Sequence, residues 1–583
     1  MWCWAAKADQ YRYRTIKEHG FRNKLEQEIT KLALLFPDSI SKDNNKIQGQ
    51  DDLGRRAALF LLIALTLFAG ILRLYLLGQK SLFLDEGWLV VFGHVPFHDL
   101  LSGKSTAVTQ VVFPYILVAF GDVFGYSEFS IRLLPAIAGT LLIPSSYFLA
   151  RLYLARRQSL LVAVLIVISP IAIAYSQEAA NYSLGMLLAT VYLRCFILFL
   201  RTGDKKLLLY FVVIATLSVY LHLYHLFIVS TLMASCVFQK ERHKFCSAAL
   251  IAITTVITLS LPTMFIHYQV MMSMEHYYSV SDLALSFEKL YRFIKIIVFS
   301  WLHGPLDSVY VPQSSFLSNS PLSWIVFLDQ SLSVVIFFSI FIWVIGYNLV
   351  RANKDIAILL VIIAVYCTAA VYFSTAQANH FYARYFLALL PLFYILLVRS
   401  FTHSWRSRLA GLLSFGMISL LIVHFAVTWV QNHDKNLWKS DWKTAIQLLR
   451  NSIGELGPGQ NFSILVPVNV ESAITQFYMP DLRDRTLWDD EFQAYAYNPE
   501  LVFLKFDAVK QYNLKLLSSP LVSKSEVIYV LTERGYDQIP YITEKLSDLF
   551  RLAEISEGSA RFYAFKRYDS SSASGMNREH APK

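Results

Sequence analysis

Cysteine is scarce in this chain: five residues in 583, at positions 3, 195, 236, 246 and 367. No two of them have the spacing of metal ligands, and they do not make a disulfide framework. Neither a zinc module nor a disulfide-stapled secreted domain is therefore expected. The sequence also lacks an internal repeat, a low-complexity tract and a glycine loop that could cradle phosphate. These absences exclude a repeat array and P-loop nucleotide chemistry. A cleavable signal peptide is not expected, because the first apolar run begins near Leu59 behind a long charged leader. Most telling, charge is missing over long stretches.

What fills those stretches is apolar. The chain is 55% hydrophobic and 15% aromatic, with a mean hydropathy of +0.44, where soluble domains run at about 45–50% apolar. Uncharged runs of this length read as membrane helices, so the fold class expected is an all-α polytopic membrane protein. The net charge of +10 is assigned to cytoplasmic loops rich in Lys and Arg. The partner expected is membrane lipid, not nucleic acid.

Residues 1–56 form a basic segment placed in the cytoplasm. Phe21, Leu25, Ile29, Leu32 and Leu35 recur there at helical spacing, which reads as a surface amphipathic helix or as a solvated tail. The transmembrane domain is expected over 57–430. Its spans fall at 57–77, 131–150, 160–175, 183–200, 207–221, 226–238, 245–266, 323–350, 355–373, 385–398 and 409–430. Segment 108–124 is apolar but short and interrupted by Pro114, and reads as a re-entrant or interfacial helix. With that choice every short basic cluster falls on one side, at Arg151–Arg157, Arg201–Lys206, Lys240–Lys244, Arg351–Lys354 and Arg399–Arg408. Residues 431–570 have the composition of a small α/β domain outside the membrane. Helices are expected there at 442–452 and 471–478, and strands at 462–467, 527–531 and 561–566. Residues 571–583 read as a disordered tail.

This topology brings most of the unusual polar residues to one face. Asp85 and Glu86 follow the first span directly, flanked by apolar residues and Gly87. Charge beside hydrocarbon is costly and usually has a partner or a task. Asp85 is read as a catalytic base, since a carboxylate suits deprotonation of a hydroxyl or amine; the plain alternative is a solvated helix end. Glu178 ends an otherwise uncharged span, as a site residue or an interfacial ion-pair member. Arg384 lies between Tyr382 and Tyr385, where a guanidinium suits a phosphate oxygen or simply snorkels. His222 and His225 could offer nitrogens to a metal, or form a hydrogen-bonded interfacial pair.

Four stretches carry a resemblance. They are Asp85-Glu86; Phe120-Gly121-Asp122 through Ser127-Glu128-Phe129-Ser130-Ile131-Arg132-Leu133-Leu134-Pro135 to Gly139; Ser169-Pro170 followed by Tyr175-Ser176-Gln177-Glu178-Ala179 and Tyr182-Ser183-Leu184; and Arg384-Tyr385 with Leu390-Pro391. The third is the most specific. Over about 57–440 the chain resembles bacterial polytopic GT-C glycosyltransferases of the protein O-mannosyltransferase and lipid A aminoarabinose transferase type. The resemblance implies transfer of a sugar, with inversion, from a polyprenyl-phosphate donor to a protein, lipid or glycan acceptor at the outer membrane face. It implies Asp85 as general base, with Glu86 and Glu178 positioning sugar, acceptor or metal. It implies Arg384 at the lipid phosphate, with Tyr182, Gln177, Lys104 and Tyr382 as further substrate contacts.

Two departures stand out. The family's arginine after Glu-Ala is Ala180 here, and its His-Pro-Pro-Leu-Tyr segment is reduced to Thr109-Gln110-Val111-Val112-Phe113-Pro114-Tyr115. Lys104 is a candidate for the missing positive charge. The cofactor is left open, with Glu86, His222 and His225 as candidate ligands for a divalent metal. The location implied is the bacterial inner membrane, with the C-terminal domain extracytoplasmic. The competing reading is a transporter or lipid flippase, which would place charges and broken helices at the bilayer midplane. A non-catalytic lipid-binding relative is the third.

Overall fold

The computed structural model describes residues 54–94, 112–238, 243–273, 339–352, 354–376, 383–404, 408–432, 441–457, 460, 462–466, 477–478, 486–489, 494–497, 501–503, 526–533, 550–555 and 560–567. The membrane part begins with α1 (Arg55–Leu74), α2 (Leu84–Phe92), α3 (Phe113–Phe124) and α4 (Glu128–Ala150). Then follow α5 (Arg156–Ile168), α6 (Pro170–Ser176), α7 (Tyr182–Thr202), α8 (Lys205–Leu221), α9 (His225–Phe238), α10 (His243–Leu259) and α11 (Leu261–Ser273). The next helices are α12 (Ser339–Val350), α13 (Lys354–Ala376), a 3₁₀ helix (Ala383–Leu389), α14 (Leu390–Ser404) and α15 (Arg408–Asn432). The protein is a multi-pass, mostly helical membrane protein followed by a small C-terminal sheet.

Each expected span coincides with one or two of these helices, 323–350 only in its described second half. Among the described residues four helices cross a membrane on length and composition alone, or six if each bent pair is one span. The expectation was eleven. Part of the difference has a local cause: two spans are broken. Between α5 and α6 the axis turns by 58° and between α10 and α11 by 41°. The first break sits at Pro170, whose missing N–H leaves the carbonyl of Ile166 without its helical donor. Buried Arg73 of α1 donates its Nη2 to that carbonyl at 3.3 Å. Ser169 caps α6 and meets the hydroxyl of Tyr394 at 3.2 Å. Helix α3 has 12 residues, about 18 Å at 1.5 Å per residue, too short for a core of about 30 Å. It is re-entrant or interfacial, as its Pro114 suggested.

Helix ends separate into two sets. At one end Arg201 donates to the Leu152 carbonyl (3.1 Å), Gln158 to Thr402 (2.8 Å) and Arg399 to the Arg351 carbonyl (2.9 Å). At the other, Gln177 reaches the carbonyl of Tyr75 at 2.8 Å, and Arg384 reaches Asp85. The basic loops therefore meet one another, and the loops bearing the candidate site residues meet one another.

The C-terminal part consists of α16 (Trp442–Gly454) and seven strands: β1 (Phe462–Val466), β2 (Thr486–Asp489), β3 (Ala494–Tyr497), β4 (Leu501–Phe503), β5 (Val527–Glu533), β6 (Phe550–Ile555) and β7 (Ala560–Arg567). The sheet order is β2-β3-β4-β1-β5-β7-β6. Strand β1 is parallel to β4 and β5, and the remaining pairs are antiparallel. Trp442, Ala445, Ile446 and Leu449 recur at helical spacing along α16, so they form one apolar stripe. That stripe packs with Val527, Tyr529, Leu531, Phe562 and Ala564 into a core separate from the membrane bundle's. Of the helix expected at 471–478, only 477–478 are described, and they are helical.

Candidate active site

The two adjacent carboxylates have different surroundings. Helix α2 begins at Leu84, so Asp85 and Glu86 lie in its first turn, where helix-end N–H groups favour acidic side chains. Being about 100° apart around the helix, they face different neighbours. Asp85 remains 43% exposed and pairs through Oδ2 with Nη1 of Arg384 at 2.5 Å. Glu86 is 1% exposed and meets Arg132 of α4.

Arg384 enters from the 3₁₀ helix, its side chain only 13% exposed. Its guanidinium carbon lies 5.8 Å from the ring centre of Tyr182 and 5.9 Å from that of Tyr385, within cation–π range. An aromatic shell continues outward from this pair. Tyr175 contacts Tyr182 (5.1 Å), Tyr385 contacts Tyr224 (4.9 Å), and His222 touches Tyr182, Tyr224 and Tyr385. Four parts of the chain far apart in sequence thus supply one cluster: α2, the segment from α6 into α7, the α8–α9 corner and the 3₁₀ helix.

Glu86 is bound on all sides. Oε1 accepts from Arg132 Nε and the Ala179 amide, both at 2.7 Å. Oε2 accepts from Arg132 Nη2 at 2.6 Å and the Phe83 amide at 2.7 Å. A carboxylate has about four acceptor positions, and these four bonds occupy them. Burial pushes the Glu86 carboxyl pKa up, but the charge and hydrogen bonds of Arg132 outweigh that, helped by the Phe83 and Ala179 amides, and hold it below the usual range. The geometry makes Glu86 a strut joining α2, α4 and the Glu178 turn. No lone pair remains directed at a metal or sugar.

The other sequence-derived candidates are placed as follows. Glu178 lies half-buried in the turn between α6 and α7, directly before the amide that Glu86 holds, and its charge acts on Tyr182. Gln177 donates Nε2 to the carbonyls of Leu72, Arg73 and Tyr75, closing the C-terminal end of α1 where helical carbonyls lack partners. That makes it a cap rather than a free substrate contact. Ala180 is buried at 1% exposure, so the missing arginine leaves no open space at that position. Lys104 and Tyr382 lie outside the described residues.

His222 and His225 stand at the α8–α9 corner. His222 Nδ1 accepts from the Tyr224 amide at 3.3 Å. Its pKa is held well below the usual imidazole value by burial and by His225, His267 and Arg384. His225 sits against Gly185, where an added Cβ would come within 2.9 Å of Nε2, and its Nδ1 lies 3.4 Å from the Tyr192 hydroxyl. Among the described residues no three His, Cys, Asp or Glu side chains are grouped to hold a metal. Glu86, His222 and His225 therefore do not come together as the ligand set considered from sequence.

Sequence reasoning missed the partners rather than the acids. Arg132 was visible as a lone cation inside an apolar span, but its partner lies 46 residues away. Tyr385 and Tyr224 were ordinary tyrosines until the fold brought them to Arg384.

Comparison with known proteins bears on the fold and the family. Residues 109–266 match the family described as dolichyl-phosphate-mannose-protein mannosyltransferase. ArnT from Cupriavidus metallidurans, bound to undecaprenyl phosphate, is similar over 89% of this chain and 99% of its own, at 12% identity and a TM-score of 0.52. The S. cerevisiae Pmt1–Pmt2 complex bound to the sugar donor matches over 39% of this chain and 36% of its own, at 15% identity and a TM-score of 0.32, too low to bear on the fold. No curated protein matches this sequence. The matched segment spans α3 to α11, and the whole-chain fold is that of ArnT. The chain therefore shares the ArnT fold and, over residues 109–266, resembles the mannosyltransferase family.

Proposed function

We propose that this protein moves a sugar from a polyprenyl-phosphate-linked donor to an acceptor at the outer face of the bacterial inner membrane, with inversion at the anomeric carbon. The observation that carries this reading is the Asp85–Arg384 pair, the one exposed and the other set among tyrosines. Asp85 takes the proton from the acceptor hydroxyl or amine. The acceptor atom then bonds to the anomeric carbon as the bond to the lipid phosphate oxygen breaks. Arg384 receives the charge that grows on the departing phosphate, a stabilisation that acts where charge develops. Arg384 is paired with Asp85. A phosphate that draws Arg384 away leaves the carboxylate open to the acceptor, so donor binding precedes base action.

The tyrosine faces around Arg384 suit the apolar faces of a sugar ring, and the lipid tail would follow the apolar surfaces between helices. The match of residues 109–266 to the dolichyl-phosphate-mannose-protein mannosyltransferase family and the similarity to an ArnT bound to undecaprenyl phosphate support the donor class. Glu178 is the remaining carboxylate near Tyr182 and is assigned to sugar or acceptor contact.

Two experiments test this. Purified protein in lipid discs, given polyprenyl-phosphate sugars and membrane-envelope acceptors, should release polyprenyl phosphate. Mass spectrometry of envelope glycans, glycolipids and glycoproteins from a deletion strain should name the missing modification; an unchanged profile together with no donor turnover rejects the reading. Sidedness has its own check. A thiol reagent confined to the periplasm should label Gln79→Cys and not Lys205→Cys in a cysteine-free background. Labelling of both from one side overturns the topology.

A further inference from the structure

The loop that leads into α2 is held from two directions. On the membrane side Arg132 donates Nη1 to the carbonyls of Leu77 (3.1 Å) and Lys80 (2.8 Å), and Nη2 to that of Ser81 (3.0 Å). On the other side the groups come from the C-terminal domain, nearly 400 residues later. The Leu82 amide donates to the Tyr478 hydroxyl at 2.9 Å, and Ser81 Oγ lies 3.3 Å from the same oxygen. That hydroxyl donates to Glu128 Oε1 at 3.3 Å. Lys443 adds an ion pair to Glu128 (2.7 Å) and its own amide to Ser81 Oγ (3.2 Å).

These contacts fall at a sensitive place. The amides of Leu82 and Phe83 immediately precede α2 and have no helical acceptor. Tyr478 takes the first and Glu86 takes the second. Asp85 follows two residues after Phe83. Small changes in how α2 starts therefore move the carboxylate relative to Arg384, and misplacement of a reacting group by about 1 Å can cost about 100-fold in rate.

Tyr478 is itself well held. Its backbone carbonyl accepts from Arg450 of α16 at 2.6 Å. The neighbouring Phe477 is buried in the core of the membrane bundle, and the two rings meet edge-on at 5.2 Å. Tyr478 packs against both hydrophobic cores. The linkage is continuous from α16 through Tyr478 to the amide at the start of the Asp85 helix.

We propose that Tyr478 is a positioning residue, through which the C-terminal domain sets the start of α2 and hence the placement of Asp85. This rests on Asp85 being the base, as read above. The C-terminal domain is then part of the catalytic apparatus rather than an appendage beside it.

The test uses the full chain in lipid discs with a polyprenyl-phosphate sugar donor. Tyr478→Phe keeps the ring and removes the hydroxyl. It should lower kcat about tenfold, the equivalent of one well-placed hydrogen bond, with the donor KM unchanged. Amide hydrogen exchange over 83–88 should rise about tenfold while exchange in α16 stays as in the wild type. In an Asp85→Asn background the same change should cause no further loss of the residual rate, because it acts through Asp85. Ser81→Ala is the second variant, expected to move exchange over 83–88 in the same direction should Tyr478→Phe not fold. Wild-type kcat and wild-type exchange in both variants overturn the inference. So does an equal fractional loss in the Asp85→Asn background, the mark of a merely structural role. If wild-type protein turns over no donor, or Asp85→Asn stays fully active, the functional reading falls and the positioning role falls with it. An active, Asp85-dependent enzyme indifferent to Tyr478 overturns this inference alone.

Discussion

Asp85 and Glu86 are neighbours in the chain, carry the same charge and each pair with an arginine, yet they do different things. The Asp85–Arg384 pair is open on one side, with the carboxylate 43% exposed. The Glu86–Arg132 pair is sealed, at 1% and 4% exposure, with every carboxylate lone pair engaged. An ion pair can serve chemistry only if a ligand can compete for one partner. Arg384 can exchange a carboxylate for a phosphate at the surface. Arg132 cannot, because its guanidinium is also spent on the carbonyls of Leu77, Lys80 and Ser81. One acid is therefore open to a ligand, as the proposed base must be, and its neighbour is closed to one.

The sharpest way to break this contrast is to neutralise each acid alone. Asp85→Asn should lower kcat by about 10²–10⁴-fold, the usual contribution of a general acid or base, with an unchanged unfolding midpoint in detergent. Glu86→Gln should do the reverse and act on stability first. It leaves Arg132 buried without its counter-charge, which costs about 3–5 kcal/mol, and should show as a lowered thermal midpoint and reduced yield. The double change Glu86→Gln with Arg132→Met should recover only part of that loss, since it removes both charges but leaves the carbonyls of Leu77, Lys80 and Ser81 without their donor. A Glu86→Gln protein that is stable but inactive would show that the two acids share the chemistry.

Substituting the arginines sharpens the contrast further. Arg384→Lys keeps the charge and loses the planar fork. Loss of a charge-assisted hydrogen bond worth about 1.5–3 kcal/mol corresponds to roughly a 10- to 100-fold fall in kcat/KM, measured with donor concentration varied. The unfolding midpoint should hardly move, because Asp85 remains in water.

The smallest effect concerns pH. Glu86 has a folded-state pKa below its unfolded value, so its stabilisation is present above the unfolded value of about 4.3 and is lost as pH falls through the folded value. His222 is a base with its pKa lowered in the fold. The unfolded chain therefore binds the proton first, and stability from this group declines as pH falls below about 6.5. Unfolding midpoints should fall in two stages on acidification. His222→Phe should shrink the first stage, which His225 shares because burial lowers its pKa too, and leave the second unchanged.

Much of this was legible in the residues. Long uncharged runs mark membrane helices because hydrocarbon offers the backbone no partner outside the helix. Pro114 marked a short helix, whereas the break at Pro170 lies inside the expected span 160–175 and emerged only in the structure. Asp85 and Arg384 stood out as charge beside hydrocarbon. Ser127 and Ser130, quoted from sequence only as part of a resemblance, prove to be reciprocal caps of α4 at 3.1 and 2.9 Å. Less could be read about partners. Gln177 looked like part of a substrate motif, but three carbonyls at the end of α1 claim its amide. His222 and His225 had metal-like spacing, yet a corner between helices turns them toward tyrosines and Gly185 instead.

By itself the sequence determined that this is a helical membrane protein, where its helices run and which acid stands next to the membrane boundary. Composition and spacing are local quantities, and helices in hydrocarbon answer to local rules. Which acid stays open, which one is sealed, and how Tyr478 comes to meet Leu82 from 396 residues away were decided only by tertiary structure. A carboxylate's role depends on the charges and donors around it in space. Arg132, Arg384 and Tyr478 reach the segment 77–86 from three separate parts of the chain.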